Sequence, residues 1–129
     1  MRSNPFIVTA AVAFSLLALP AHASTRQEAP LLEDSVRCVS LYAIASGLYG
    51  QETPEGQEAI TLGKEWYSRA KEQNARADSS LPENDPGTTE GMIVLDLMSL
   101  SIMGAYDPEQ SSLPDVVRAI RRDLEVCEA

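Results

Sequence analysis

The segment "DSVRCVSLYAIASGLYG", Asp34 to Gly50, is mostly small, apolar or aromatic, and it contains one cysteine, Cys38. Its apolar residues fall on two adjoining stripes at helical spacing, which predicts a helix that is buried over a wide face. Asp34 or Ser35 is placed to cap the start of this helix, and Gly50 is placed to end it. The second cysteine of the chain, Cys127, stands near the C-terminus. The role of both thiols depends on the compartment in which the protein works.

The N-terminal sequence predicts export. Arg2 precedes an uncharged run of 14 residues, Phe6 to Leu19, and "AHA" follows at the position of a signal peptidase site, so cleavage is expected after Ala23. The run is shorter than the roughly 20 apolar residues that span a bilayer, so no stable membrane anchor is expected. We therefore expect a periplasmic or secreted protein. The predicted organisation is a signal peptide, a mobile lead-in and a single helical domain, at residues 1–23, 24–32 and 33–129.

In an oxidising compartment, two cysteines in a small domain most simply form a disulfide. The pairing of Cys38 with Cys127 would close a loop of about 90 residues and contribute roughly 4 to 5 kcal/mol in the chain-entropy model. A redox or nucleophilic thiol is the alternative, but the sequence contains no CxxC motif. The sequence therefore predicts that a disulfide joins the first helix to the last.

Two more amphipathic helices have clear start signals. The first opens at "TPEGQEAI", with Thr53 as cap and Pro54 as first helical residue, and is expected to end by about Ala77. A polar connection, 78–89, follows it. The last helix starts at "SSLPD", where Ser112 fits a capping box, and its apolar stripe is expected to contain Val117, Ile120, Leu124 and Cys127.

The remaining helix, Met92 to Tyr106, reads "MIVLDLMSLSIMGAY" and is apolar nearly all the way round. Such a helix needs neighbours on most sides, so we expect it to be the most enclosed of the four. No segment has the sustained alternation of a strand. The sequence therefore predicts an all-α domain, a small bundle of four helices stapled by one disulfide.

Composition excludes several kinds of activity. Once residues 1–23 are removed, the chain has no histidine, and nine basic residues stand against nineteen acidic ones, a net charge of about −10. Nucleic acid is therefore not an expected partner. The sequence lacks a phosphate-binding loop, a G-x-S-x-G motif and a calcium loop, so it predicts no catalytic residue, no cofactor and no metal.

The candidate binding residues are a carboxylate and four aromatic side chains. Asp96 lies inside the apolar helix, where it is either a proton-handling group or part of a polar stripe, with Thr89 and Ser99, that faces solvent or another helix. The aromatic residues could line a binding surface or complete the core, and they are Tyr42, Tyr49, Trp66 and Tyr67.

Two classes of function remain. The first is a non-enzymatic exported protein that binds another periplasmic or secreted protein, as an inhibitor, immunity factor, chaperone or accessory subunit. In outline the chain resembles the small helical acid-stress chaperones of the periplasm, which also carry one disulfide. It shares no motif with them, and its cysteines are much farther apart, so no residue roles carry over. The alternative is a small-ligand carrier or carboxylate-dependent hydrolase centred on Asp96 and the surface formed by Trp66 and Tyr67.

Overall fold

The computed structural model describes residues 30–128. All regular elements in this range are helices, which confirms the all-α prediction. The five helices are α1 Leu32–Tyr49, α2 Pro54–Gln73, α3 Ala75–Ser80, α4 Thr89–Ile102 and α5 Leu113–Glu128. The predicted signal peptide and residues 24–29 of the predicted lead-in lie outside the described residues. The sequence suggested four helices, and the additional one is the short α3, which follows α2 after a break at Asn74.

Helix α1 is the centre of the fold, because α2, α4 and α5 all pack against it. Many of its buried residues are small, among them Ser35, Ser40, Ala45 and Ser46, and small side chains allow close helix contact on several sides. The helix begins at Leu32, so Asp34 and Ser35 lie in its first turn and do not cap it. Gly50 ends it as predicted, with a φ of 95° that favours glycine.

Helices α2 and α4 start with the same capping arrangement. Thr53 and Thr88 each accept a hydrogen bond of 3.0 Å from the backbone N–H of a glycine three residues later, Gly56 and Gly91. In both cases the glycine packs against the preceding turn, and a Cβ on Gly91 would lie 2.2 Å from the carbonyl oxygen of Asp85. The shared pattern T-x-E-G therefore fixes the first residue of each helix and its packing against the preceding loop.

The main core cluster lies between α1, α2 and α5. The predicted disulfide joins Cys38 of α1 to Cys127 of α5, with both residues buried and their Cα atoms 5.9 Å apart. On α5 the buried stripe begins at Val116, one residue before the predicted Val117. The buried members of the cluster are Cys38, Leu41, Tyr42, Ala45, Ala59, Trp66, Ile120, Leu124 and Cys127. None of them belongs to α4.

The prediction that the apolar third helix is the most enclosed is therefore wrong. This helix corresponds to α4, and its buried residues are Thr89 and Leu100. Helix α4 packs chiefly against α1, so it can bury only the face that meets that helix. The other faces of α4 also carry apolar residues, and these are left in contact with solvent because no helix covers them.

Candidate functional site

Helix α4 carries an exposed apolar stripe, which consists of Val94, Leu95, Met98 and Ile102. Each of these side chains is at least half exposed, from 51% for Leu95 to 82% for Ile102. Val94 and Leu95 are adjacent, Met98 follows them at four and three residues, and Ile102 follows Met98 at four, so the four side chains share one face of the helix over about 12 Å, at 1.5 Å per residue. Met103, directly after the helix, is also exposed. Soluble proteins rarely expose a contiguous apolar surface of this kind unless it binds something.

Two concave surfaces lie beside α4. The α1–α4 groove has a volume of about 580 Å³, and Leu95 and Met92 line one side of it while Glu33 and Asp34 of α1 line the other. A second hollow, of about 470 Å³, lies on the C-terminal side of α4 and includes Leu97 in its wall. Leu95 of the stripe thus forms part of the wall of a groove, and grooves with an apolar wall can receive the apolar face of a helix.

Asp96, which the sequence singled out, holds α4 against α1. Arg37 donates to both carboxylate oxygens of Asp96, at 2.9 Å from Nε and 2.8 Å from Nη2. Burial alone would raise the pKa of Asp96, but the hydrogen bonds and charge of Arg37 outweigh it, so the pKa lies below its ordinary value. Asp96 is therefore a charged tether between two helices, which matches the polar-stripe interpretation, and not a group poised to donate a proton.

The N-terminus of α4 is tied to α3 by a second carboxylate. Asp78 accepts two hydrogen bonds of 2.7 Å from Thr89, one from its backbone N–H and one from its hydroxyl. These bonds hold the pKa of Asp78 below its ordinary value. Asn74, at the break between α2 and α3, also donates to the carbonyl oxygen of Gly87 at 3.0 Å. The first turn of α4 is thus fixed by its own cap and by a neighbouring helix.

Glu90 links the same end of α4 to α2. The hydroxyl of Tyr67 donates to the Glu90 carboxylate, and Lys71 Nζ lies 3.4 Å from it. The hydrogen bond from Tyr67 is the main reason that the pKa of Glu90 is lowered, and the same bond raises the pKa of Tyr67. Tyr67 therefore serves as a link between helices.

At the other end, the segment after α4 is anchored to α5. Tyr106 donates a hydrogen bond of 2.5 Å to Asp123, and burial together with this bond raises the pKa of Tyr106 to about 12. With Asp96 in the middle, α4 is held at its first turn, near its centre and through the segment that follows it. Its apolar stripe is therefore presented on a fixed helix.

The predicted aromatic residues do not form one surface with Asp96. Trp66 is only 8% exposed and belongs to the core, with Arg69 Cζ 4.4 Å from its ring centroid. The α1–α4 groove, which Asp96 lines, contains neither Trp66 nor Tyr67. Tyr42 and Tyr49 do come together, in a separate cleft of about 360 Å³.

That separate cleft is lined by acidic residues. Its walls include four glutamates from α2 and α5, and the Arg121 guanidinium carbon lies 5.4 Å from the ring centroid of Tyr49. Burial is the largest cause of the raised pKa of Tyr42, so its phenol stays protonated at neutral pH. The glutamates of the cleft are Glu55, Glu58, Glu125 and Glu128.

Three further observations bear on the kind of site. Within residues 30–128, no three side chains of the types that hold metal ions come close enough to do so. No helix in the described part of the chain is long and apolar enough to cross a membrane. Comparisons of the chain with protein-family models, with curated proteins and with solved structures find no match.

The apolar stripe is the feature that the sequence interpretation missed. The apolar composition of the helix predicted that it would be enclosed by other helices. One signal points the other way. Helix α1 has small residues on several faces, which is typical of a central helix against which other helices pack.

Proposed function

We propose that this chain is an exported, non-enzymatic protein that binds another protein through the apolar stripe of α4. The observation that carries the proposal is the exposure of four large apolar side chains on a helix that is fixed at three places. Exposed apolar surface costs solubility and is unfavourable in water, so its presence on an ordered element favours a covered state.

The chemistry of the remaining surface agrees with this proposal. Asp96, whose neighbours in the sequence are apolar, forms an ion pair with Arg37. A hydrolase or a small-ligand carrier centred on Asp96 lacks comparable support, because Trp66 and Tyr67 lie elsewhere and are engaged in other contacts. Export is inferred from the sequence at residues 1–23 and agrees with the disulfide.

The experiment is a comparison of captured partners between matched variants. Tagged protein is purified from its native exported fraction as wild type, as the Met98→Ser/Ile102→Ser double variant and as Val126→Ser. Val126 is 76% exposed, lies on α5 and lines none of the concave surfaces beside α4, so it controls for loss of any exposed apolar side chain.

We expect wild type and Val126→Ser to recover the same stoichiometric partner and the double variant to lose it. Circular dichroism should give the same helix content for all three, because the substituted side chains are exposed. Equal recovery by the double variant would refute a role for the stripe. Recovery of no stoichiometric partner by wild type would refute the proposed function itself.

A further inference from the structure

The charges around the apolar stripe indicate what covers it. Glu33 and Asp34 stand on the wall of the α1–α4 groove that faces Leu95. Among the described residues, neither of these two carboxylates takes part in an ion pair. The basic residue of the groove, Arg37, has both of its inward-facing nitrogens committed to Asp96. The groove therefore offers apolar contact on one side and uncompensated negative charge on the other.

A second acidic position lies at the far end of α4. Asp107 lines the hollow that includes Leu97 and Leu100, and it has no ion pair within the described part of the chain. Glu90, by contrast, is already engaged by Tyr67 and Lys71. Carboxylates outside any ion pair of the described residues thus lie in both hollows beside α4, although Asp107 also accepts a hydrogen bond of 2.8 Å from the backbone N–H of Glu109.

We infer that the occupant of the apolar stripe is a helical segment of another protein that carries lysine or arginine on either side of its own apolar face. This inference rests on the proposed function and names the chemistry of the partner. Apolar contact along the stripe supplies affinity, and the basic flanks meet Glu33, Asp34 and Asp107. A stripe of about 12 Å spans little more than two helical turns, so a partner helix of three or four turns covers it.

A second copy of this chain is a poorer occupant. The mature chain has a net charge of about −10, and pairing α4 with α4 would bring the acidic flanks of one copy against those of the other. Like charges facing each other across an interface oppose association. A partner of opposite charge avoids this repulsion.

The test uses three synthetic peptides of 18 residues as probes, with the protein purified from its exported fraction. The first has leucines at helical spacing flanked by lysines. The second has the same leucines flanked by glutamates. The third has the composition of the first, shuffled so that the leucines no longer share a face. Fluorescence anisotropy measures binding at low and high salt.

We expect the lysine-flanked peptide to bind at least tenfold more tightly than either of the others and to weaken severalfold at high salt. The Glu33→Gln/Asp34→Asn variant should lose severalfold affinity for this peptide. The matched variant Glu125→Gln/Glu128→Gln, in the cleft away from α4, should bind as wild type does. Met98→Ser/Ile102→Ser should lose most of the binding.

Each other outcome overturns the inference in a distinct way. Equal binding of the lysine- and glutamate-flanked peptides, with loss in the stripe variant, would leave the proposed function standing and remove the charge requirement. Absence of binding by all peptides would reject a basic amphipathic helix, whereas the captured-partner experiment would still decide the proposed function. Concentration-dependent dimers in sedimentation that vanish in the stripe variant would assign the stripe to a second copy. Stripe-dependent binding to phosphatidylcholine vesicles would assign it to a lipid surface.

Discussion

Removing the disulfide is expected to destabilise this fold more than any other single change to its covalent structure. Cys38 and Cys127 are separated by 89 residues, and they join the central helix α1 to the last helix α5. In the chain-entropy model, releasing a loop of this length stabilises the unfolded state by about 4 to 5 kcal/mol. A domain of this size has a total stability of about 5 to 15 kcal/mol, so the bridge accounts for a large share of it.

The perturbations are chemical reduction and the Cys38→Ala/Cys127→Ala variant, each compared with the oxidised protein in urea denaturation followed by circular dichroism. We expect both forms to lose about 4 to 5 kcal/mol, and the melting temperature to fall by about 20 to 35 °C. Reduction leaves both sulfur atoms in the core, whereas the alanine variant removes them. The difference in unfolding free energy between these two forms therefore measures the packing of the sulfur atoms. The loss that both forms show relative to the oxidised protein measures the contribution of the cross-link.

The reasoning would be refuted by a common loss below about 1 kcal/mol with an unchanged denaturant slope. Such a result would mean that the unfolded chain is already restrained without the cross-link, so that the bridge removes little further conformational entropy from it. A steeper denaturant slope in the uncross-linked forms would instead indicate that the oxidised unfolded chain is compact.

Three further outcomes are expected from urea denaturation. Leu100→Ala should lower the free energy of unfolding by about 2 to 4 kcal/mol because Leu100 is only 6% exposed. Ile102→Ala, two residues later, should change it by no more than about 0.5 kcal/mol because Ile102 is exposed. Equal losses in the two variants would contradict the orientation of α4. Gly91→Ala should cost about 1 to 3 kcal/mol because its Cβ would lie 2.2 Å from a backbone carbonyl oxygen of the preceding loop, whereas Gly47→Ala, with open space around it, should stabilise the protein slightly. Arg37→Gln should cost up to about 1 kcal/mol at pH 6. The pKa of its carboxylate partner is lowered in the fold, so this contribution is present above the ordinary value of 3.8 and lost as the pH falls through the folded value. The difference from wild type should therefore vanish near pH 2, and a difference that persists there would contradict the ion-pair origin.

The parts of the fold that the sequence predicts are those set by local signals. Thr53 and Pro54 mark the start of α2 because a cap and a first-turn proline act within one turn of the chain. Gly50 ends α1 for the same kind of reason. The disulfide follows from the number of cysteines and the expected compartment. Each of these inferences needs only neighbouring residues or a count.

The position of α4 could not be predicted in this way. Its apolar residues are spread around the whole helix, so the sequence gives no direction in which it should be buried. That direction is chosen by long-range contacts, among them the burial of Leu100 and the bond from Arg37 to Asp96, whose partners are 59 residues apart. The high apolar content of a helix predicts that other elements pack against it, but it does not indicate whether those elements belong to the same chain.

The contacts that hold α4 explain how this helix can expose apolar side chains and still keep a defined position in the fold. Its fixing contacts are mostly polar, and they act at Thr89, at Asp96 and beyond the C-terminal end at Tyr106. None of them uses the apolar stripe, so the stripe can be covered without rearranging the fold. A surface that is already ordered loses less conformational entropy on association than one that must fold while it binds. On α4, polar groups therefore position the helix and apolar groups remain available for contact. This is the arrangement expected of a helix that binds a partner without changing its conformation.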